Sequence, residues 1–225
     1  MGNGIIKYLK YLFQCFITVI YDDSCDCILC REYADEHFLC ESCYKEVKNY
    51  NIKEIINKGN IKIDCYCASY YSNKVKELIL RLKYKSDFRC GEILAEMMHK
   101  VIICNKIEFD LITFVPASSK VLKKRGYNQS EFLASLLSKM SNRKVVSCLI
   151  KVKETKDQIG LDALNRWENL HNCFETFSKV SLDGKIVLLV DDVYTTGATA
   201  YFCAKSLINS NCGNVIVLTV AKSNV

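Results

Sequence analysis

Residues 185–199, KIVLLVDDVYTTGAT, constrain the fold of this chain more than any other stretch. Five consecutive apolar residues, 186–190, are too short for a helix and rich in β-branched types, the pattern of a strand buried on both faces of an α/β sheet. Asp191 and Asp192 stand at its C-terminal end, followed by Thr195, Thr196, Gly197, Ala198 and Thr199 and by a helix expected over residues 198–209. Ligands of open parallel sheets bind at the carboxyl ends of strands, where a helix N-terminus offers unpaired amides and its positive dipole end to an anion. A phosphate suits that position. Two carboxylates facing it would repel it, so their place is to accept hydrogen bonds from sugar hydroxyls or from water around a metal ion. Together these features describe a sugar phosphate. The plainer reading, a strand end and a turn cap, competes for either aspartate taken alone.

The run VLLVDDVYTTGAT resembles the thirteen-residue signature of the type I phosphoribosyltransferases, which bind 5-phosphoribosyl-1-diphosphate (PRPP) with magnesium. The resemblance implies that Asp191 and Asp192 hold the ribose 2′ and 3′ hydroxyls and that Thr195, Thr196, Gly197, Ala198 and Thr199 wrap the 5′-phosphate. It also implies a parallel sheet flanked by helices.

A chain of 225 residues, half of them hydrophobic, suits one such α/β domain with a small appendage. The net charge of +6 favours anionic partners, phosphates or nucleic acid. Fourteen cysteines would suit a disulfide scaffold in a secreted protein, yet residues 5–21 lack an A-x-A-like cleavage site and carry Lys7 and Lys10. A reduced, cytoplasmic protein is expected. Residues 1–24 are read as an apolar helix, either docked on the core or making peripheral contact with the inner face of the membrane.

Between them and the α/β domain lies CDCILCREYADEHFLCESC. Cys27 and Cys30 form one C-x-x-C and Cys40 and Cys43 another, the spacing of two knuckles that give a tetrahedral zinc site its four thiolates. Four thiolates leave no vacancy for a catalytic water, so the Zn2+ is structural and supplies folding free energy to a segment too short for its own core. Cys25 and His37 are alternative ligands, and a redox C-x-x-C is the rival reading. The zinc segment with a helix over residues 45–57 fills residues 25–60, and residues 61–225 form the α/β domain.

Along that domain, residues 61–71 alternate as a strand and residues 74–85 carry apolar side chains at helical spacing. Lys76, Arg81, Lys83 and Lys85 on that helix, with tyrosines nearby, are either a solvated face or a surface for single-stranded nucleic acid. Residues 111–115 read as a strand stopped at Pro116, the sole proline. Ser118 and Ser119 then sit in a polar loop, and Lys120 and Arg125 stand close enough to suit a diphosphate. Asn128, three residues before Glu131, reads as a helix N-cap. Residues 145–150 are expected as a strand and residues 153–165 as a mobile loop able to close over a phosphate site. Neither G-x-x-x-x-G-K-[ST] nor G-x-G-x-x-G occurs, and His37, His99 and His171 are too scattered to suggest a catalytic dyad.

The order of parts, a four-cysteine finger, VKELILRLKYKSD, VPASSKVLKKRGYNQSEFLA, ETKDQIGLDALNRWENLHNCF and DDVYTTGAT, resembles the ComF family of amidophosphoribosyltransferase-like proteins linked to DNA uptake in natural competence. Lys83 and Tyr84 match the family's Lys-Tyr, and Arg125 to Gln129 match its R-G-F/Y-N-Q. Thr155, Gln158, Arg166 and Asn169 match T-x-x-Q…R-x-x-N. Lys151 stands where the family usually has arginine, which keeps the charge and loses the bidentate fork; Ser118 and Ser119 replace bulkier residues. The resemblance implies PRPP as ligand with Mg2+, Ser118, Ser119, Lys120, Arg125 and Lys151 around the diphosphate, and Arg166 with the aspartates in phosphoribosyl transfer, a glycosyltransferase reaction. DNA-uptake proteins are the implied partners. A second reading from a different class makes the chain a non-catalytic accessory that binds single-stranded DNA through the same fold.

Overall fold

A computed structural model describes residues 26–34, 38–47, 50–153, 167–177 and 180–223. The chain divides into two compact units, Met1–Glu46 and Val47–Val225. The helix expected over residues 1–24 lies outside the described residues. Among the described residues no helix is long and apolar enough to cross a membrane.

In the first unit two reversals bring four thiols together. Arg31 adopts a left-handed backbone (φ 70°) and donates its N–H to the Cys27 carbonyl at 2.9 Å, closing the first knuckle. The second opens helix α1, Glu41–Glu46, where the Cys43 amide donates to the Cys40 sulfur at 3.5 Å.

The second unit is built on a six-stranded sheet in the order β1-β2-β8-β7-β3-β4. Its strands are β1 (Ile52–Lys58), β2 (Ile61–Tyr70), β3 (Leu111–Phe114), β4 (Lys144–Val145), β7 (Ile186–Tyr194) and β8 (Asn214–Lys222). β2, β8, β7, β3 and β4 run parallel, and β1 closes one edge antiparallel to β2. β7 is central because Val187 to Val190 are all buried, a run that only a strand covered on both faces can hide.

The helices divide between the faces. Helices α2 (Asn73–Lys85) and α3 (Phe88–Cys104) pack together, α3 packs on α5 (Gln129–Ser141), and α5 lies on β3 and β7. Gly91 in α3 admits this close approach, since a Cβ there would lie 2.4 Å from the Phe132 ring of α5. Helix α6 (Ala198–Ile208) covers the other face, in a core with Ile63, Cys65, Val187, Leu189, Val215 and Val217. A two-stranded sheet, β5 (Leu149–Lys151) with β6 (Phe174–Thr176), adds Leu149 and Phe174 to that core. Helix α4 (Ser119–Arg125) follows β3.

Three expectations are corrected. The helix expected over residues 45–57 is the end of α1 followed by β1, because residues 52–58 find a full ladder of partners across the Gly59-Asn60 turn. The strand expected over residues 145–150 breaks in two: Val145 pairs with Ile112 in the main sheet, while Ile150 pairs with Glu175 in the small one. The strand expected to end at residue 190 continues to Tyr194, since β8 supplies partners as far as Lys222.

Candidate functional site

β3 and β7 are neighbours whose following helices lie on opposite faces of the sheet. Strands that diverge in this way leave a crevice at their carboxyl ends, the place where open α/β sheets receive ligands. The loops flanking it are tied together at their base, for Val115 N–H donates to the Val190 carbonyl at 3.0 Å.

Asp191 and Asp192 occupy the end of β7, Asp191 opposite Thr219 of β8. The Asp191 Oδ1 atom accepts two hydrogen bonds, from Ser130 Oγ at 2.9 Å and from the Asp192 amide at 2.9 Å. Asp192 is buried and its Oδ2 forms an ion pair with the ammonium of Lys83, from the last turn of α2. Burial and then the adjacent Asp192 charge push the Asp191 carboxyl up to about 7, against the pull of Ser130 and Lys83. Burial acts on Asp192 in the same sense, but the Lys83 ammonium outweighs it and holds that carboxyl below its ordinary value. Lys83 in turn is held above the ordinary lysine range by Asp192, despite the opposing effect of burial. The two adjacent acids therefore differ in kind: Asp192 is a paired carboxylate, and Asp191 is biased toward its protonated form.

Beyond β7 the chain turns through Thr195, Thr196 and Gly197 into α6. Gly197 caps the helix at φ 77°, where a Cβ would lie 2.8 Å from Tyr194 Oη and 3.1 Å from Ile56 Cδ1. Only glycine takes this conformation and leaves the space open. Thr196 Oγ1 accepts from the Ala198 amide at 3.4 Å, Thr199 is half-buried, and the first turn of α6 points its amides toward the crevice side of the loop. An anion is the fitting guest.

On the β3 side Asn128 holds the loop in place as expected: its Oδ1 accepts from the Ser130 amide at 3.0 Å and its Nδ2 donates to the Val115 carbonyl at 2.9 Å. Ser118 caps α4 by accepting from Val121 N–H at 3.3 Å, and Ser119 begins that helix instead of extending the loop. Lys120 is exposed on α4. Arg125 lies over the Tyr84 ring at 4.9 Å and donates to Gln129 Oε1 at 2.9 Å. Tyr127 Oη donates to the Leu82 carbonyl. Leu82, Lys83 and Tyr84 are thus stitched to the 125–130 turn and to β7.

Ser130 is a site residue that sequence reasoning missed, and Lys83, read from the sequence on a basic helix face and in the Lys-Tyr pair, stands at the acid pair. A hydroxyl two residues into a capped helix was the available signal for Ser130. The four basic residues of α2 have different surroundings. Helical spacing leaves Lys76 and Lys85 exposed, sends Arg81 to Asp87 at 2.9 Å, and turns Lys83 inward. Lys151 lies in the small sheet, 5.9 Å from the Phe174 ring centre. Arg166, Thr155 and Gln158 lie outside the described residues.

In the first unit the sulfur atoms of Cys27, Cys30, Cys40 and Cys43 all lie within 4.8 Å of one another, a set that suffices to hold a metal ion such as zinc.

The fold and this crevice define an open α/β protein with a ligand crevice at a topological switch point of its sheet. Competence protein F of Haemophilus influenzae is 30% identical over 205 residues, 80% of this chain and 90% of that protein. Competence protein ComFC of Bacillus subtilis is 25% identical over 186 residues, covering 81% and 71%. The chain belongs to the ComF family. No family model matches the chain. Adenine phosphoribosyltransferase of Thermoanaerobacter pseudethanolicus aligns with 80% of this chain and 99% of its own at 18% identity and a TM-score of 0.41.

Proposed function

We propose that the β3/β7 crevice binds PRPP and that the protein serves DNA uptake as a phosphoribosyltransferase-like member of its family. The observation that carries the reading is the juxtaposition of an acid pair on β7, the N-terminus of α6 and the Ser118 loop of β3 around one crevice. In this reading the amides and hydroxyls of Thr195 to Thr199 receive the 5′-phosphate, and the aspartates receive the ribose hydroxyls. Ser118, Ser119 and Arg125 face the diphosphate, with Lys120, Lys151 and Arg166 recruited from their own segments. Transfer would pass through a cation-like ribose, for which a fixed pair of acids is the matching electrostatic partner. Magnesium would accompany the diphosphate oxygens. Cys27, Cys30, Cys40 and Cys43 would hold structural Zn2+. The competence names of the relatives support the cellular role.

The surface of α2 and α4 favours a second reading, single-stranded DNA binding. Lys76, Lys85, Lys120, Lys123 and Lys124 are exposed, and the Tyr84 ring, 53% exposed, carries Arg125 on one face. Such a mixture follows a phosphate backbone and stacks on bases. Calorimetry of the zinc-loaded protein with PRPP and Mg2+ tests the first reading: saturable heat is expected, abolished by Asp192→Asn. A wild-type protein that gives no heat, yet binds oligodeoxynucleotide with affinity falling steeply as salt rises, selects the second.

A further inference from the structure

Acid pairs at the mouth of a crevice ordinarily attract divalent cations, because two carboxylates in partly desolvated surroundings repel each other until a charge separates them. Here the charge is already built in. Lys83 reaches the end of β7 from the last turn of α2, its side chain 20% exposed and that of Asp192 8%. Asp192 Oδ2 is buried and has no other hydrogen-bond partner among the described residues. Asp191 Oδ1 is already taken by Ser130 and the Asp192 amide. Arg125 adds a second cation close enough to favour the charged form of Asp192. The groups facing the pair, Lys83 and Arg125 with the uncharged Tyr71 phenol, thus set two positive charges against two carboxyls. A divalent ion bound directly to these carboxylates does not fit this arrangement: it would have to expel the Lys83 ammonium and leave it buried without a counter-charge, which is costly.

We infer that Lys83 is the resident cation of the acid pair, standing on Asp192 where a metal ion would otherwise sit, so that the ligand-free protein takes up no divalent metal there. Lys83 is then a positioning residue. It keeps Asp192 ionised and aimed at the crevice, and its remaining N–H donors are left for an oxygen of the incoming sugar. The pentose part rests on the PRPP reading above; the statement about metal does not. Removing the ammonium should convert a self-neutralised pair into a metal site, a gain that loss of mere packing would not produce.

The test is a Mn2+ titration of zinc-loaded protein without any sugar phosphate, followed by electron paramagnetic resonance of the free ion. Wild type is expected to leave the free-ion signal unchanged. Lys83→Met is expected to bind one Mn2+ at least about tenfold more tightly than wild type, and Lys83→Met/Asp192→Asn to lose that site. Lys83→Gln, which keeps a polar side chain of similar length, should gain the site as well and stands in if the methionine variant does not fold. A wild-type Mn2+ site abolished by Asp192→Asn overturns the inference, as does a folded Lys83→Met or Lys83→Gln protein with no gain. PRPP calorimetry on the same samples reports on the ligand reading separately, since no sugar phosphate enters the Mn2+ experiment.

Discussion

Asp191 and Asp192 are chemically identical neighbours that the fold makes unlike, because each meets different partners at the end of β7. The Lys83 ammonium pairs with Asp192 and outweighs burial there, whereas at Asp191 burial and the charge of Asp192 prevail and raise the carboxyl to about 7. The consequence for stability has a definite sign. A carboxyl whose folded pKa exceeds its unfolded value of about 3.9 takes up a proton on folding, so stability falls as pH rises between about 4 and about 7 and is level above. Asp192, held low, contributes in the opposite sense, and its contribution is lost only as pH falls through its depressed pKa. Asp191→Asn keeps the acceptor for Ser130 and titrates in neither state. Its unfolding temperature, relative to wild type, should therefore climb from near equality at about pH 4 to a clear excess at about pH 8. Thermal unfolding across that range checks this, and a difference independent of pH would show that the Asp191 carboxyl is not raised.

At the scale of elements, the turn from β7 into α6 stands on one backbone conformation. Gly197→Ala places a methyl 2.8 Å from Tyr194 Oη at φ 77°, so it should cost about 1–2 kcal/mol of stability and displace the first amides of α6. Urea unfolding with an unchanged slope and a lowered midpoint is the expected result, together with a loss of PRPP heat larger than that of stability alone. This turn was legible in the sequence because a continuous apolar run can only be a buried strand, and the small residues after it have few other uses. The capped start of α5 was legible for a similar reason, since Asn128 and its helix are neighbours in the chain. β1 was not. Ile52, Glu54 and Ile56 lie on one side of a strand, yet KEIINK also satisfies a helix, and only pairing with β2 decides between them. The Gly59-Asn60 dipeptide reads as a turn from either side, and it marks a hairpin only once strands are known to flank it. The ion pair of Lys83 with Asp192 was hidden for the same physical reason: helical spacing gives the face of a residue, but not what another element brings to that face.

At the scale of the molecule, the clustered cysteines of the first unit and the buried cysteines of the second have different surroundings. Among the described residues of Met1–Glu46, the four clustered thiols stand beside the buried side chains of Ile28, Ala34 and Leu39. A metal held by the four thiols would add its binding free energy to the folding of this segment. In Val47–Val225 the cysteines Cys65, Cys67, Cys90, Cys148, Cys173, Cys203 and Cys212 are buried as small apolar side chains. Burial pushes Cys67 up to about 11 and Cys90 up to about 12, which keeps them as unreactive thiols at neutral pH. Metal removal should therefore divide the molecule along this line. Chelation is expected to open residues 26–46 to limited proteolysis and to expose four additional thiols to a disulfide reagent. The Val47–Val225 unit should keep its thermal transition and its protected cysteines, because its core of β7, β8 and α6 contains no metal ligand. Loss of the whole transition on chelation, with all the core thiols reacting together, would show instead that the thiol cluster governs folding of the entire chain.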